Sequence, residues 1–120
     1  MKTLALVFIG GGRGSVVRYL FSLWFILPFG KWFPFATFSA NIISCFILGI
    51  VLKKLAGQDT EVVAWHFLLV TGFCGGFSTF STLSLEVMNL LKMNLTGLAM
   101  VYILISMLSG LAFLWIGLRV

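Results

Sequence analysis

The chemistry in this chain is concentrated in one stretch, Thr71-Gly72-Phe73-Cys74-Gly75-Gly76-Phe77-Ser78-Thr79-Phe80-Ser81-Thr82-Leu83-Ser84. Glycines at 72, 75 and 76 disfavour continuous helix, and hydroxyls follow at Ser78, Thr79, Ser81, Thr82 and Ser84. The stretch lies inside an apolar run from about 62 to 91, with Gly76 and Phe77 at its middle. In lipid every backbone N–H and C=O needs a partner, so an interruption at that depth survives only against protein, ion or water. It would expose carbonyls able to hold a cation and a new helix N-terminus that favours an anion. The competing reading is a glycine kink that lets helices pack closely.

Other polar residues stand at helical spacing within apolar surroundings. Thr37, Asn41 and Ser44 share a face, and the Asn41 amide must find partners. Those partners are another helix or an anion accepted by the amide N–H₂. Phe80 and Leu83 share a face, as do Thr82 and Glu86. Glu86 is the one carboxylate within an apolar run, so it either lies near an interface, is protonated, is turned away, or pairs with a cation such as Arg18. Arg18 either snorkels to headgroups or raises anion concentration at a pore mouth. Tyr102, Ser106, Ser109 and Gly110 form a stripe whose hydroxyls bond their own helix or line a polar track.

The elements that position these groups are membrane helices. The 120 residues are 61% hydrophobic and 9% charged, against about 25% charged in ordinary globular chains. A mean hydropathy of +1.15 excludes a soluble domain, and the length suits a single membrane domain over 1–120. Four runs reach the roughly 20 apolar residues of a crossing, at about 3–27, 32–55, 62–91 and 95–118. The connections run through Pro28-Phe29-Gly30-Lys31, from Ala56 to Glu61, and through Lys92-Met93-Asn94. Trp24, Trp32, Trp65 and Trp115 fall near run ends, as an interfacial belt requires, and His66 beside Trp65 belongs with them.

The net charge of +5 is scattered and forms no nucleic-acid patch. Lys2, Lys53, Lys54 and Arg119 fall on one side, and Lys31 and Lys92 on the other. This bias leans weakly towards cytoplasmic termini and permits insertion in both orientations. Gly10, Gly14 and Arg18 recur every four residues, as do Gly11 and Ser15, paving a face for a neighbouring helix. No strand or Gly-Lys-Ser/Thr follows the pattern of a nucleotide site. Cys45 and Cys74 read as small buried residues, and the first run reads as a retained helix because Arg13 and Arg18 interrupt it. No nucleophile stands beside a base, so catalysis is not expected.

Taken together, Gly10-Gly11, Gly14 and Arg18-Tyr19, then Ala36-Thr37-Phe38, Asn41 and Gly49, then the block from Gly72 to Thr82, resemble the CrcB/Fluc family of bacterial fluoride channels. The likeness covers essentially the whole chain, and the third-run block is its specific part. The resemblance implies an all-α integral membrane protein of the bacterial inner membrane. It has four transmembrane helices, the third broken at the midplane, in an antiparallel dual-topology dimer with an identical chain or an oppositely oriented paralogue. It implies a structural sodium ion held by backbone carbonyls at the positions of Gly75 and Ser78, and two fluoride pathways. The matching pathway positions are Asn41, Phe80, Ser81, Thr82, Ser84, Tyr102 and Ser106, with Arg18 and Glu86 at the pathway ends. One departure is Leu83, where the family usually carries a second phenylalanine.

A donor-rich route independently suits fluoride, because a strongly hydrated anion must exchange its waters for several donors in succession. Leucine lacks the electropositive ring edge that a phenylalanine would offer at position 83. Two rivals remain at this level. A small multidrug-type exporter has similar size and topology but relies on an acid in its first helix, where this chain has none. A packing scaffold would leave Asn41, Phe80 and the hydroxyls without a joint role.

Overall fold

A computed structural model describes residues 1–29, 34–57 and 62–120, with side chains described over 1–25, 34–57 and 63–120. All regular elements among them are helical: α1 (Lys2–Phe29), α2 (Phe35–Leu55), α3 (Val62–Trp65), a π-helical segment (His66–Cys74), α4 (Gly75–Phe77), α5 (Phe80–Lys92) and α6 (Thr96–Arg119). Four helical stretches are long and apolar enough to cross a membrane: Lys2–Phe25, Phe35–Leu55, Val63–Lys92 and Thr96–Arg119. These agree with the four apolar runs to within a few residues. Trp32, Gly30, Lys31 and Glu61, expected in connections or at run ends, lie outside the described residues.

Two chain reversals rely on left-handed backbone. Gly57 has φ +89° just beyond α2, where a side chain would be strained. At the α5–α6 corner Asn94 takes φ 60°, a conformation asparagine tolerates. The Leu95 N–H then donates to the Leu90 carbonyl at 2.9 Å and the Asn94 N–H to Leu91 at 3.1 Å, satisfying the end of α5.

Two glycine seams hold the helices together. Lipid tails are as apolar as leucine, so association depends on close packing between backbones. A Cβ on Gly10 would run into the Leu68 carbonyl and stand 3.0 Å from the Phe73 nitrogen, two atoms five residues apart as π winding sets them. A Cβ on Gly14 would strike the Phe73 carbonyl, and one on Gly76 the Gly11 carbonyl. The second seam joins α2 to α6, where a Cβ on Gly117 would meet the Gly49 Cα at 3.0 Å. Lys53 Nζ donates to the Arg119 carbonyl at 2.9 Å at the end of this pair, and the Arg119 guanidinium lies 4.5 Å from the Trp115 ring centroid.

This packing corrects the expectation that glycines 72, 75 and 76 disfavour helix. All three are helical. Gly72 and Gly76 sit under the α1 backbone, so their missing side chains serve contact. Non-helical dihedrals come only after them, at Ser78 (ψ 154°) and Thr79 (φ −154°, ψ 118°).

The buried set is small: Ala40, Cys74, Phe77, Leu90, Ala99 and Tyr102 supply its hydrophobic part. Trp24, Trp65 and Trp115 are exposed, as belt residues require. Gly14→Val should destabilise the fold by about 1–3 kcal/mol, because backbone rather than a movable side chain blocks the new atoms. Gly12→Ala, which meets nothing within 4 Å, should stay within about 0.5 kcal/mol of wild type. Thermal unfolding of both variants in detergent checks the contrast.

Candidate functional site

Extended backbone inside an apolar span leaves donors and acceptors to be matched from elsewhere. The α2 face predicted from spacing supplies them. Asn41 Oδ1 accepts the Thr79 N–H at 2.8 Å, and Asn41 Nδ2 donates to the Thr79 carbonyl at 3.5 Å. One side-chain amide thereby stands in for a peptide group. One turn further along, Ser44 Oγ donates to the Cys74 carbonyl at 3.1 Å, which also receives the Ser78 N–H at 2.9 Å and Ser78 Oγ at 2.7 Å.

Thr79 then starts α5 as its N-cap. Its Oγ1 accepts the Thr82 N–H at 3.3 Å, donates to Thr82 Oγ1 at 3.1 Å, and lies 3.2 Å from Ser81 Oγ. These bonds redirect two donors. In continuous helix the Thr79 N–H would close onto the Gly75 carbonyl, and the Thr82 N–H onto the Ser78 carbonyl. Here the first goes to Asn41 and the second to the Thr79 hydroxyl. The redirected donors release two carbonyl oxygens from helical duty, a donor set suited to a hard cation. No group of three or more His, Cys, Asp or Glu residues offers an alternative metal cluster among the described residues.

A second polar centre lies beside the first. Thr37 Oγ1 donates to Glu86 Oε1 at 2.6 Å, and the Tyr102 hydroxyl donates to Glu86 Oε2 at 2.7 Å. The carboxylate is thus tied to α2 and α6, and Arg18 forms no ion pair with it. Arg18 instead lines a cleft of about 220 Å³ with Ser15, Tyr19, Ser22, Ala36, Thr37 and Thr82. Thr37 and Thr82 join that cleft to the Glu86 and Thr79 networks respectively.

The remaining predicted residues divide. Phe80 is 81% exposed, and Ser81 and Ser84 are exposed beside it. Ser84 Oγ donates back to the Phe80 carbonyl at 3.0 Å. Leu83 is half-buried and packs against the cluster of Leu90, Ala99 and Tyr102. Ser106 Oγ is buried and has no hydrogen-bond partner among the described residues. Gly75 is exposed and a Cβ there would meet nothing within 4 Å. Thr79, Thr37 and Ser44 belong to these networks beyond the site residues expected from the sequence. The Thr79-x-x-Thr82 spacing was the available signal, since an N-cap bonds the amide three residues on.

Lipid-scale helices around a polar interior define the class: this is a multi-pass membrane protein. Residues 5–118 match the family described as "CrcB-like protein, Camphor Resistance (CrcB)". A protein of Flavobacterium psychrophilum named Fluoride-specific ion channel FluC is 41% identical over 118 residues, 98% of this chain and 95% of its own length. Proteins of the same name are 37% identical in Agrobacterium fabrum, covering 98% of this chain and 94% of theirs. In Escherichia coli K12 the identity is 40%, over 93% of this chain and 87% of the relative. The chain belongs to the CrcB family, whose members so named are ion channels and not enzymes.

Thr37→Val and Tyr102→Phe should each cost about 1–3 kcal/mol, since each removes a donor from a partly buried carboxylate. Replacing Glu86 by Leu in the double variant should recover part of that loss, because no carboxylate then remains without its donors. Unfolding midpoints of wild type, the two single variants, the double and the triple decide this; no recovery in the triple would mean that Glu86 is not held by these bonds.

Proposed function

We propose that this chain forms a fluoride-selective passive channel that exports fluoride from the bacterial cytoplasm across the inner membrane and so protects against its toxicity. The observation that carries this reading is the match to relatives named Fluoride-specific ion channel FluC over nearly the full length of both partners. Two copies inserted in opposite orientations assemble with the Ser78–Thr79 interruption at the middle of the bilayer. Thr71, Gly75, Ser81 and Ser84, together with Phe80, are each exposed in the single chain. Such polar positions are disfavoured against lipid, which supports their cover by a second copy.

Each of two routes begins in the Arg18 cleft, where a positive charge concentrates anions. Donors continue inward through Thr82, Ser81, the second amide proton of Asn41 and the edge of Phe80, and Ser106 supplies a hydroxyl without a partner among the described residues. None of the inner donors is a fixed cation that would trap the ion. Both Glu86 oxygens are engaged, one by Thr37 and one by Tyr102. Sodium is the resident ion proposed at the Gly75 and Ser78 carbonyls; when bound it would offset the mutual repulsion of two anions.

Purified protein in liposomes should release fluoride, and not chloride, once a potassium ionophore balances charge. Absence of release from folded protein would overturn the proposal. Asn41→Ala or Phe80→Ile should slow release by about 10–100-fold, the cost of one lost donor to a charged group. Leu83→Phe should speed release by restoring a second ring; an unchanged rate would show that ring to be dispensable here.

A further inference from the structure

Thr79 has no assigned part in permeation, yet its side chain makes more hydrogen bonds than any other hydroxyl of the third span. Its oxygen receives the Thr82 amide and contacts two further hydroxyls, and the residue is 9% exposed. Its backbone is the group that Asn41 clamps. The cap therefore decides where α5 begins. A helix starting one turn earlier would return the Thr82 N–H to the Ser78 carbonyl and the Thr79 N–H to the Gly75 carbonyl, removing both oxygens from any cation.

We infer that Thr79 is a positioning residue for the cation site: its hydroxyl pins the start of α5 and so keeps the Gly75 and Ser78 carbonyls available to sodium, although it touches neither the cation nor the permeating anion itself. The inference rests on the sodium reading above and adds to it a specific side chain and a specific role. It also links the two ions mechanically. Asn41 holds the same peptide unit from α2 and carries a donor facing the proposed anion route, so a change at either residue reaches both sites through Thr79.

The test uses full-length protein extracted and purified in sodium-free buffer with N-methylglucamine as the counter-cation. Sodium is then titrated while thermal unfolding is followed for wild type, Thr79→Val and Thr79→Ser. Wild type and Thr79→Ser should reach half of the sodium-induced rise in midpoint at concentrations within about threefold of each other, because serine caps as well as threonine. Thr79→Val should need at least about tenfold more sodium, in keeping with a lost cap. A merely structural role would lower the midpoint equally at every sodium concentration and leave the titration where it was; that result overturns the inference and spares the sodium reading. A wild-type midpoint indifferent to sodium overturns the sodium reading and the inference with it. If Thr79→Val does not fold, Thr79→Ala, which likewise removes the capping oxygen and is a poor cap residue, replaces it under the same criteria.

Discussion

The pairing of the Asn41 side chain with the Thr79 peptide is the interaction on which the remaining structure depends. A peptide bond outside a helix, in an apolar environment, loses several kcal/mol unless both of its polar atoms are matched. Asn41 is the residue type suited to this, since its amide carries an acceptor and a donor in the geometry of a peptide. With Asn41 in place, Ser78 and Thr79 can be extended, α5 can start afresh, and two carbonyls lose their helical donors.

The glycine seams explain how α2 comes to be near enough. Gly49 and Gly117 bring α2 and α6 into backbone contact, which sets Tyr102 and Thr37 on either side of Glu86. Gly10, Gly14, Gly72 and Gly76 do the same for α1 and the third span, and this places Arg18 over the cleft that contains Thr37 and Thr82. Small residues thus position a polar interior without occupying it. A membrane protein of this size buries few large side chains and depends on contact of this kind.

The four crossings were legible because hydropathy over some 20 residues is a strong signal that tertiary context rarely overrides. The shared face of Thr37, Asn41 and Ser44 was legible from helical periodicity, and all three side chains do bond across to the third span. The exact place of the non-helical backbone was not. Glycine propensity pointed to 72, 75 and 76, but all three remain helical, with Gly72 and Gly76 packed against α1, while the irregular residues carry hydroxyls. Propensity is a local measure, and here a partner helix sets the outcome. The partners of Glu86 were equally hidden, since Thr37 lies 49 residues away in sequence. Leu83 could be recognised as a departure from resemblance, but its seat in the apolar cluster around Tyr102 required the packing itself.

The central claim, that the irregular backbone of one chain meets its counterpart in an inverted second copy, is open to one direct measurement. Gly75→Cys is introduced in a chain whose native Cys45 and Cys74 are replaced by alanine, and native membranes are oxidised mildly. Gly75 is exposed and helical, and a disulfide forms only where two Cα atoms approach within about 7 Å. Rapid formation of a covalent dimer that still releases fluoride is the expected result. A protein that assembles and conducts, yet never cross-links at position 75, would contradict the claim.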